Sequence, residues 1–92
     1  MSLKLGKLYK NITECSSWTL YSLDYQKILG YLNPGNCFVV LGFKHYPNYT
    51  WDSYKILFED GNLYQITFAN DTHNFDNLFR EIVFCIKEIE DI

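Results

Sequence analysis

The sequence has few of the basic residues with which proteins bind the phosphate backbone of a nucleic acid. It carries eight lysines and arginines, of which only Arg80 is an arginine, against eleven acidic residues, and its net charge is −3. Proteins that track DNA or RNA usually present a basic face and have a high isoelectric point. We therefore expect no nucleic acid among its partners.

Long apolar runs are missing as well. The longest lie around residues 37–43 and 82–86, far short of the ~20 residues that span a bilayer. The first residues show no apolar segment of the signal-peptide type. We expect a soluble cytoplasmic protein that does not contact a membrane.

The residues that build metal centres and nucleophilic sites are few. Three cysteines (Cys15, Cys37 and Cys85) and two histidines (His45 and His73) stand far apart in the chain. No disulfide framework or zinc-ligand spacing is present, and no glycine-rich phosphate loop occurs. We expect reduced, partly buried thiols, no metal, no cofactor and no catalytic residues.

Aromatic side chains, by contrast, are abundant. They make up 18% of 92 residues, while Ala69 is the only alanine. A chain this short forms one domain, here residues 1–92, and needs large side chains to bury enough surface. The abundance of Lys, Asn, Ile, Tyr and Phe is typical of AT-rich genomes and resembles that of small proteins from bacteriophages or low-GC bacteria.

Separated glycines and prolines favour short strands joined by turns. Alternation predicts strands over 5–12 and 17–22, and Pro34 followed by Gly35 predicts a type II turn within 32–36. The segment 37–43 is too apolar for a half-exposed strand, which predicts a central strand covered on both faces, with a bend or bulge at Gly42.

Two alternating runs, 54–58 and 63–68, predict a β-hairpin around Asp60 and Gly61. A three-residue loop, 59–61, with Gly61 as a left-handed bulge pairs Ile56 with Tyr64 and keeps the apolar faces together. A two-residue turn would instead place the apolar face of one strand beside the less apolar face of the other. Register therefore favours the bulged hairpin.

The last third of the chain is compatible with two structures. Asp71 or Thr72 can cap a helical turn over 74–79, and the apolar spacing continues to Ile82. The segment 82–86 is β-prone and can instead form a closing strand. We favour a single helical turn followed by a strand.

The resulting order is that of a mainly β fold with five or six short antiparallel strands and one helical turn near residues 74–79. The runs 5–9, 33–42 and 54–61 resemble the succession of strands and turns in SH3-like small β-barrel domains. The resemblance implies a small barrel. The acidic loop and paired aromatic platform of peptide-binding SH3 domains have no counterpart here, so a proline-rich ligand is not implied.

The segment 44–52 needs the most explanation, because it places three large aromatics where a loop is expected. Aromatics on loops are common at recognition surfaces, but in so small a domain they can also fold back and cap the barrel. The same alternatives apply to Trp18, Tyr21 and Tyr25 in the other long connection. The candidate binding residues from both segments are His45, Tyr46, Tyr49, Trp51, Trp18 and Tyr25.

Three hypotheses follow. The first is a non-catalytic module that binds a protein partner through its aromatic loop, in its concrete form a phage-encoded inhibitor or modulator of a host protein. The second is a homodimer that binds or sequesters a nucleotide-type ligand by ring stacking, with Lys44, Lys55 and Arg80 as phosphate contacts. The third is self-association through an exposed sheet edge.

Overall fold

The computed structural model describes residues 3–70, 72 and 74–83. In this part of the chain the fold is mainly β, as expected, with one short helix. The elements are β1 (Leu8–Asn11), β2 (Trp18–Tyr21), β3 (Ile28–Leu32), β4 (Cys37–His45), β5 (Trp51–Phe58), β6 (Leu63–Ala69), α1 (Phe75–Leu78) and β7 (Phe79–Glu81). The expected five or six strands are therefore too few, because β3 lies in a stretch for which the sequence pattern predicts a long connection.

All neighbouring strands pair antiparallel in a single sheet of order β3-β2-β6-β5-β4-β1-β7. The hairpins β4–β5 and β5–β6 form its centre. The chain before them supplies β1 on one side and the β2–β3 hairpin on the other. Consequently β2 lies beside β6, although more than forty residues separate Tyr21 from its partner Gln65.

The sheet curls into a half-barrel. In a flat sheet, strands five places apart are separated by about 24 Å, since neighbours lie about 4.8 Å apart. Yet the rings of Trp18 on β2 and Phe79 on β7 have centroids only 4.9 Å apart. The two sides of the sheet therefore come together over a shared interior.

The core fills the concave inner face. Strand alternation directs Tyr54 and Ile56 of β5, and Tyr64 and Ile66 of β6, to this face. Each is at most 8% exposed. The other buried apolar residues of the same cluster are Leu3, Tyr9, Leu20, Leu32, Phe38, Val40, Phe68, Phe75 and Phe79.

The half-barrel is closed at one end by Asn11, whose side chain is 1% exposed. Its amide group donates hydrogen bonds to the carbonyl oxygens of Ser16 and Leu32, at 3.0 and 3.4 Å. Its Oδ1 accepts hydrogen bonds from the backbone and hydroxyl of Thr13. One buried amide thus ties the end of β1 to the edge strand β3.

The hairpin between β5 and β6 has the predicted register. Ile56 pairs with Tyr64, and the N–H of Phe58 donates to the carbonyl of Asn62. Gly61 has a φ of +83°, the left-handed conformation that favours glycine. The bulged three-residue loop is confirmed.

The turn before β4 is also confirmed. Gly35 has a φ of +88°, and the N–H of Asn36 donates to the carbonyl of Asn33 at 3.0 Å. The Glu59 carboxylate then fixes this turn to the β5–β6 loop, since it accepts hydrogen bonds from the Asn36 side chain and the Cys37 backbone. Two predicted turns therefore meet at one end of the sheet.

Strand β4 is interior to the sheet but is not covered on both faces, contrary to expectation. Phe38 and Val40 are buried on the inner face, whereas Leu41 is 46% exposed. The register shifts between Val40 and Gly42, which confirms the bulge. Within the described residues no second layer covers this strand, so its outer side chains lie at the surface.

The first strands are shorter than predicted. The turn at Gly6, with a φ of +77°, delays β1 to Leu8. Of the thiols expected to be partly buried, Cys37 is half-buried but Cys15 is exposed, because it lies in the loop between β1 and β2. Cys85 falls outside the described residues.

The helical turn is confirmed, but it ends earlier than 79. Asn74 precedes α1 and makes no side-chain cap, so Thr72 is not the capping residue; Asp71 lies outside the described residues. Phe79 already begins β7, which pairs with β1. The closing strand therefore starts before the expected 82–86, whose last three residues are outside the described part.

Candidate functional site

The loop between β4 and β5 carries three aromatic rings that contact one another. The Tyr46 and Tyr49 ring centroids lie 5.0 and 5.1 Å from that of Trp51, and 6.0 Å from each other. None of the three is buried, and Tyr49 is 56% exposed. The rings pack into a cluster at the surface rather than folding back to cap the barrel.

Tyr25 reaches this cluster from a different segment. It lies in the turn between β2 and β3 with a φ of +61°, which is uncommon for a residue with a side chain. Asp24 supports the turn, because its carboxylate accepts hydrogen bonds from the Ser22 hydroxyl and the Gln26 backbone. These bonds, that of Ser22 first, hold the pKa of Asp24 below its usual value.

A strained backbone costs about 1–3 kcal/mol and persists where its surroundings fix it. Here the Tyr25 side chain supplies the compensating contacts. Its ring packs between those of Tyr21, at 5.4 Å, and Trp51, at 5.9 Å. The left-handed backbone of Tyr25 therefore places one more ring beside Trp51.

The Tyr25 hydroxyl is anchored on the outer face of the sheet. It is hydrogen-bonded to the Ser53 hydroxyl, which donates to the side-chain oxygen of Gln65 at 2.8 Å. Burial raises the pKa of Tyr25, so the phenol stays protonated at neutral pH. Ser53 is only 2% exposed, although its strand face is otherwise turned to the surface.

The aromatic side chains described above line an open cavity of about 500 Å³. We call this set the aromatic patch; it consists of Tyr21, Tyr25, Tyr46, Tyr49 and Trp51, with Thr67 completing the lining. Cavities that hold small molecules typically measure about 300–1,000 Å³. The patch is therefore large enough to seat either a ligand ring or a side chain of another protein.

A second cavity of about 190 Å³ adjoins the patch and shares Tyr46 with it. We call it the lysine cavity, because Lys44 and Lys55 contribute the charged groups of its lining. Its other lining residues are Gly42, Phe43, Ser53 and Gln65. The Lys44 ammonium lies 4.9 Å from the centroid of the Tyr46 ring, at the junction of the two cavities.

Four of the six candidate residues come together in the patch: Tyr25, Tyr46, Tyr49 and Trp51. Trp18 does not, since it lies on the inner face and packs against the core. His45 is also separate: it alternates with Lys44 along β4, and its Nδ1 lies 2.5 Å from Oδ1 of Asp52 across the hairpin.

Sequence reasoning missed Thr67 as a member of the site, and it considered Tyr21 without including it among the candidate binding residues. Both lie on outer-face positions of strands that become neighbours only because β2 pairs with β6. No local pattern carries that pairing. Of the proposed phosphate contacts, Lys44 and Lys55 line one cavity, whereas Arg80 lies on β7 at the far edge of the sheet.

Among residues 3–70, 72 and 74–83, no three His, Cys, Asp or Glu side chains are grouped so that they could hold a metal ion. In the same ranges, no helix has the length and apolar character needed to cross a membrane. Comparison of the chain with protein-family models, curated proteins and solved structures finds no match. The function is therefore inferred from the geometry of the site.

Proposed function

We propose that the protein is a non-catalytic binding module that recognises a protein partner through the aromatic patch. The observation that carries this proposal is the exposure of Tyr49 within a cluster of five rings. Binding energy at protein interfaces concentrates in a few residues, with Tyr and Trp over-represented among them. A cluster of such residues on a surface loop has the composition of an interface centre.

Two structural features support recognition over a purely structural role. The core is already filled on the inner face by a separate set of side chains, so the patch is not needed to close it. Tyr25 is also held in a strained conformation that brings its ring to Trp51. A pre-ordered patch avoids part of the entropy cost of ordering side chains on binding.

The test is affinity capture from a bacterial lysate, followed by identification of the captured protein and titration of its purified form. The variant is Tyr49→Ala. The matched control is Tyr31→Ala, because Tyr31 on β3 is exposed to the same 56% but lies outside the patch.

We expect Tyr49→Ala to weaken binding of the purified partner about tenfold or more, as interface hot spots do, and Tyr31→Ala to leave it close to wild type. Equal affinity of all three proteins would exclude the patch as the binding surface. A loss with Tyr31→Ala alone would move the interface to the β3 edge.

A further inference from the structure

The aromatic patch and the lysine cavity form one continuous surface with two chemical halves. Tyr46 lines both, and the hydrogen-bonded group of Tyr25, Ser53 and Gln65 lies along their boundary. One half offers ring faces and the other offers ammonium and hydrogen-bonding groups. A ligand that fits both halves must combine a planar ring with an anionic group.

The local charge is opposite to that of the whole chain. The net charge is −3, yet neither cavity has an Asp or Glu among its described lining residues. Lys44 and Lys55 face the same cavity from neighbouring strands, since Lys55 pairs with Gly42 and Lys44 with Ser53. Two ammonium groups in a carboxylate-free site favour an anion.

From this arrangement we infer that the joined cavities bind a nucleoside monophosphate, with the base in the aromatic patch and the phosphate between Lys44 and Lys55. Stacking on aromatic rings holds any base, because every base has a π-face. The lysines supply charge-assisted hydrogen bonds to the phosphate. This inference does not require the protein partner proposed above.

The hydroxyl groups at the boundary suit the sugar that joins base and phosphate. Because the Ser53 hydroxyl donates to Gln65, the Tyr25 hydroxyl donates to Ser53, and its oxygen can accept a hydrogen bond from a sugar hydroxyl. Gln65 adds an amide whose Oε1 already accepts from Ser53. These groups lie between the rings and the lysines, where a ribose would lie.

Tryptophan fluorescence offers a direct measurement, because Trp51 lies in the patch while Trp18 packs on the inner face. In a Trp18→Phe background, Trp51 reports alone. The probes are adenosine, cytidine and their 5′-monophosphates, together with inorganic phosphate. Calorimetric titration of the wild-type protein with the same probes gives a second measurement if Trp18→Phe fails to fold.

Two double variants provide the comparison. Lys44→Gln/Lys55→Gln removes the proposed phosphate contacts, and Lys7→Gln/Lys10→Gln removes the same charge from exposed positions in and beside β1. The first should weaken binding of the monophosphate about tenfold or more, because the phosphate loses two charge-assisted hydrogen bonds. The second should leave affinity within about twofold after general charge effects.

Saturable quenching of Trp51 by the monophosphates, with weaker binding of the nucleosides and of phosphate, would support the inference. Equal affinity for a nucleoside and its monophosphate would contradict the role of the lysines. Equal loss in both lysine variants, or no saturable binding by either method, would overturn the inference. Each of these results leaves the capture experiment with Tyr49→Ala unaffected, so the two proposals fail separately.

Discussion

The Tyr25 hydroxyl is hydrogen-bonded to the hydroxyl of Ser53, a residue 28 positions further along the chain. This contact joins the β2–β3 turn to strand β5 on the outer face of the half-barrel. It fixes a residue with a positive φ at the point where two aromatic segments meet.

Removing the Tyr25 hydroxyl should destabilise the fold while keeping the ring in place. We expect Tyr25→Phe to lower the free energy of unfolding by about 1 kcal/mol, the usual net value of a hydrogen bond. Urea unfolding measures this loss. Tyr31→Phe, at an exposed position, should change stability by less than about 0.5 kcal/mol, and an equal effect of both variants would contradict the role of the contact.

Asn11 should be among the most sensitive polar positions in the chain. Its buried side chain bonds to Ser16, Leu32 and Thr13, so Asn11→Ala removes all of these hydrogen bonds and leaves the buried Leu32 carbonyl without the amide donor. We expect a loss of about 2–4 kcal/mol in the free energy of unfolding, measured in urea. The exposed Asn62→Ala serves as the control, and a loss below about 1 kcal/mol at Asn11 would refute the closure it is assigned.

A side chain at Gly61 should lower the stability of the fold. An ideal Cβ there meets no atom within 4 Å, so any cost comes from the positive φ rather than from crowding. Gly61→Ala should cost about 1 kcal/mol, read as a lower midpoint of thermal unfolding. Gly30→Ala, whose Cβ meets only Leu20 at 3.8 Å, should be close to neutral. Similar midpoints for the two variants would speak against the bulged loop.

Stability should fall in acid through Asp60. Hydrogen bonds from the Tyr64 hydroxyl and then from the Asn62 backbone hold its pKa below the usual 3.8. Because the unfolded chain takes up the proton first, this contribution is complete above pH 3.8 and is lost as the pH falls through the lower folded pKa.

An NMR titration of the Asp60 carboxyl measures the shift directly. In Tyr64→Phe the main hydrogen bond is gone, so the pKa of Asp60 should rise toward 3.8. The explanation would be wrong if Asp60 titrated at or above 3.8 in the wild-type protein.

Local chemistry explains why part of the fold is readable from the sequence. The loop at Gly61 and the turn at Gly35 follow from positive φ and from strand alternation, which involve only nearby residues. Strand β3 is not readable in this way. Gly30 interrupts its pattern, and the register shift between Leu20 and Tyr21 disturbs its alternation.

The candidate site also has one part that local sequence predicts and one part that depends on strand pairing. Tyr46, Tyr49 and Trp51 lie within six residues of one another, so their clustering is a local property of one loop. The approach of Tyr25 depends on the pairing of β2 with β6, which no short pattern encodes. Trp18 and Trp51 are both tryptophans and are equal candidates by residue type. Strand alternation, however, places Trp18 on the inner face, against Phe79.

The most direct test of the binding role is to map amide chemical-shift changes in the labelled protein as the captured partner is titrated in. We predict that the largest changes fall in residues 21–27 and 46–51, the two segments that contribute the aromatic patch. Changes confined to β1 and β7, on the opposite side of the sheet, with the patch unperturbed, would contradict the central claim.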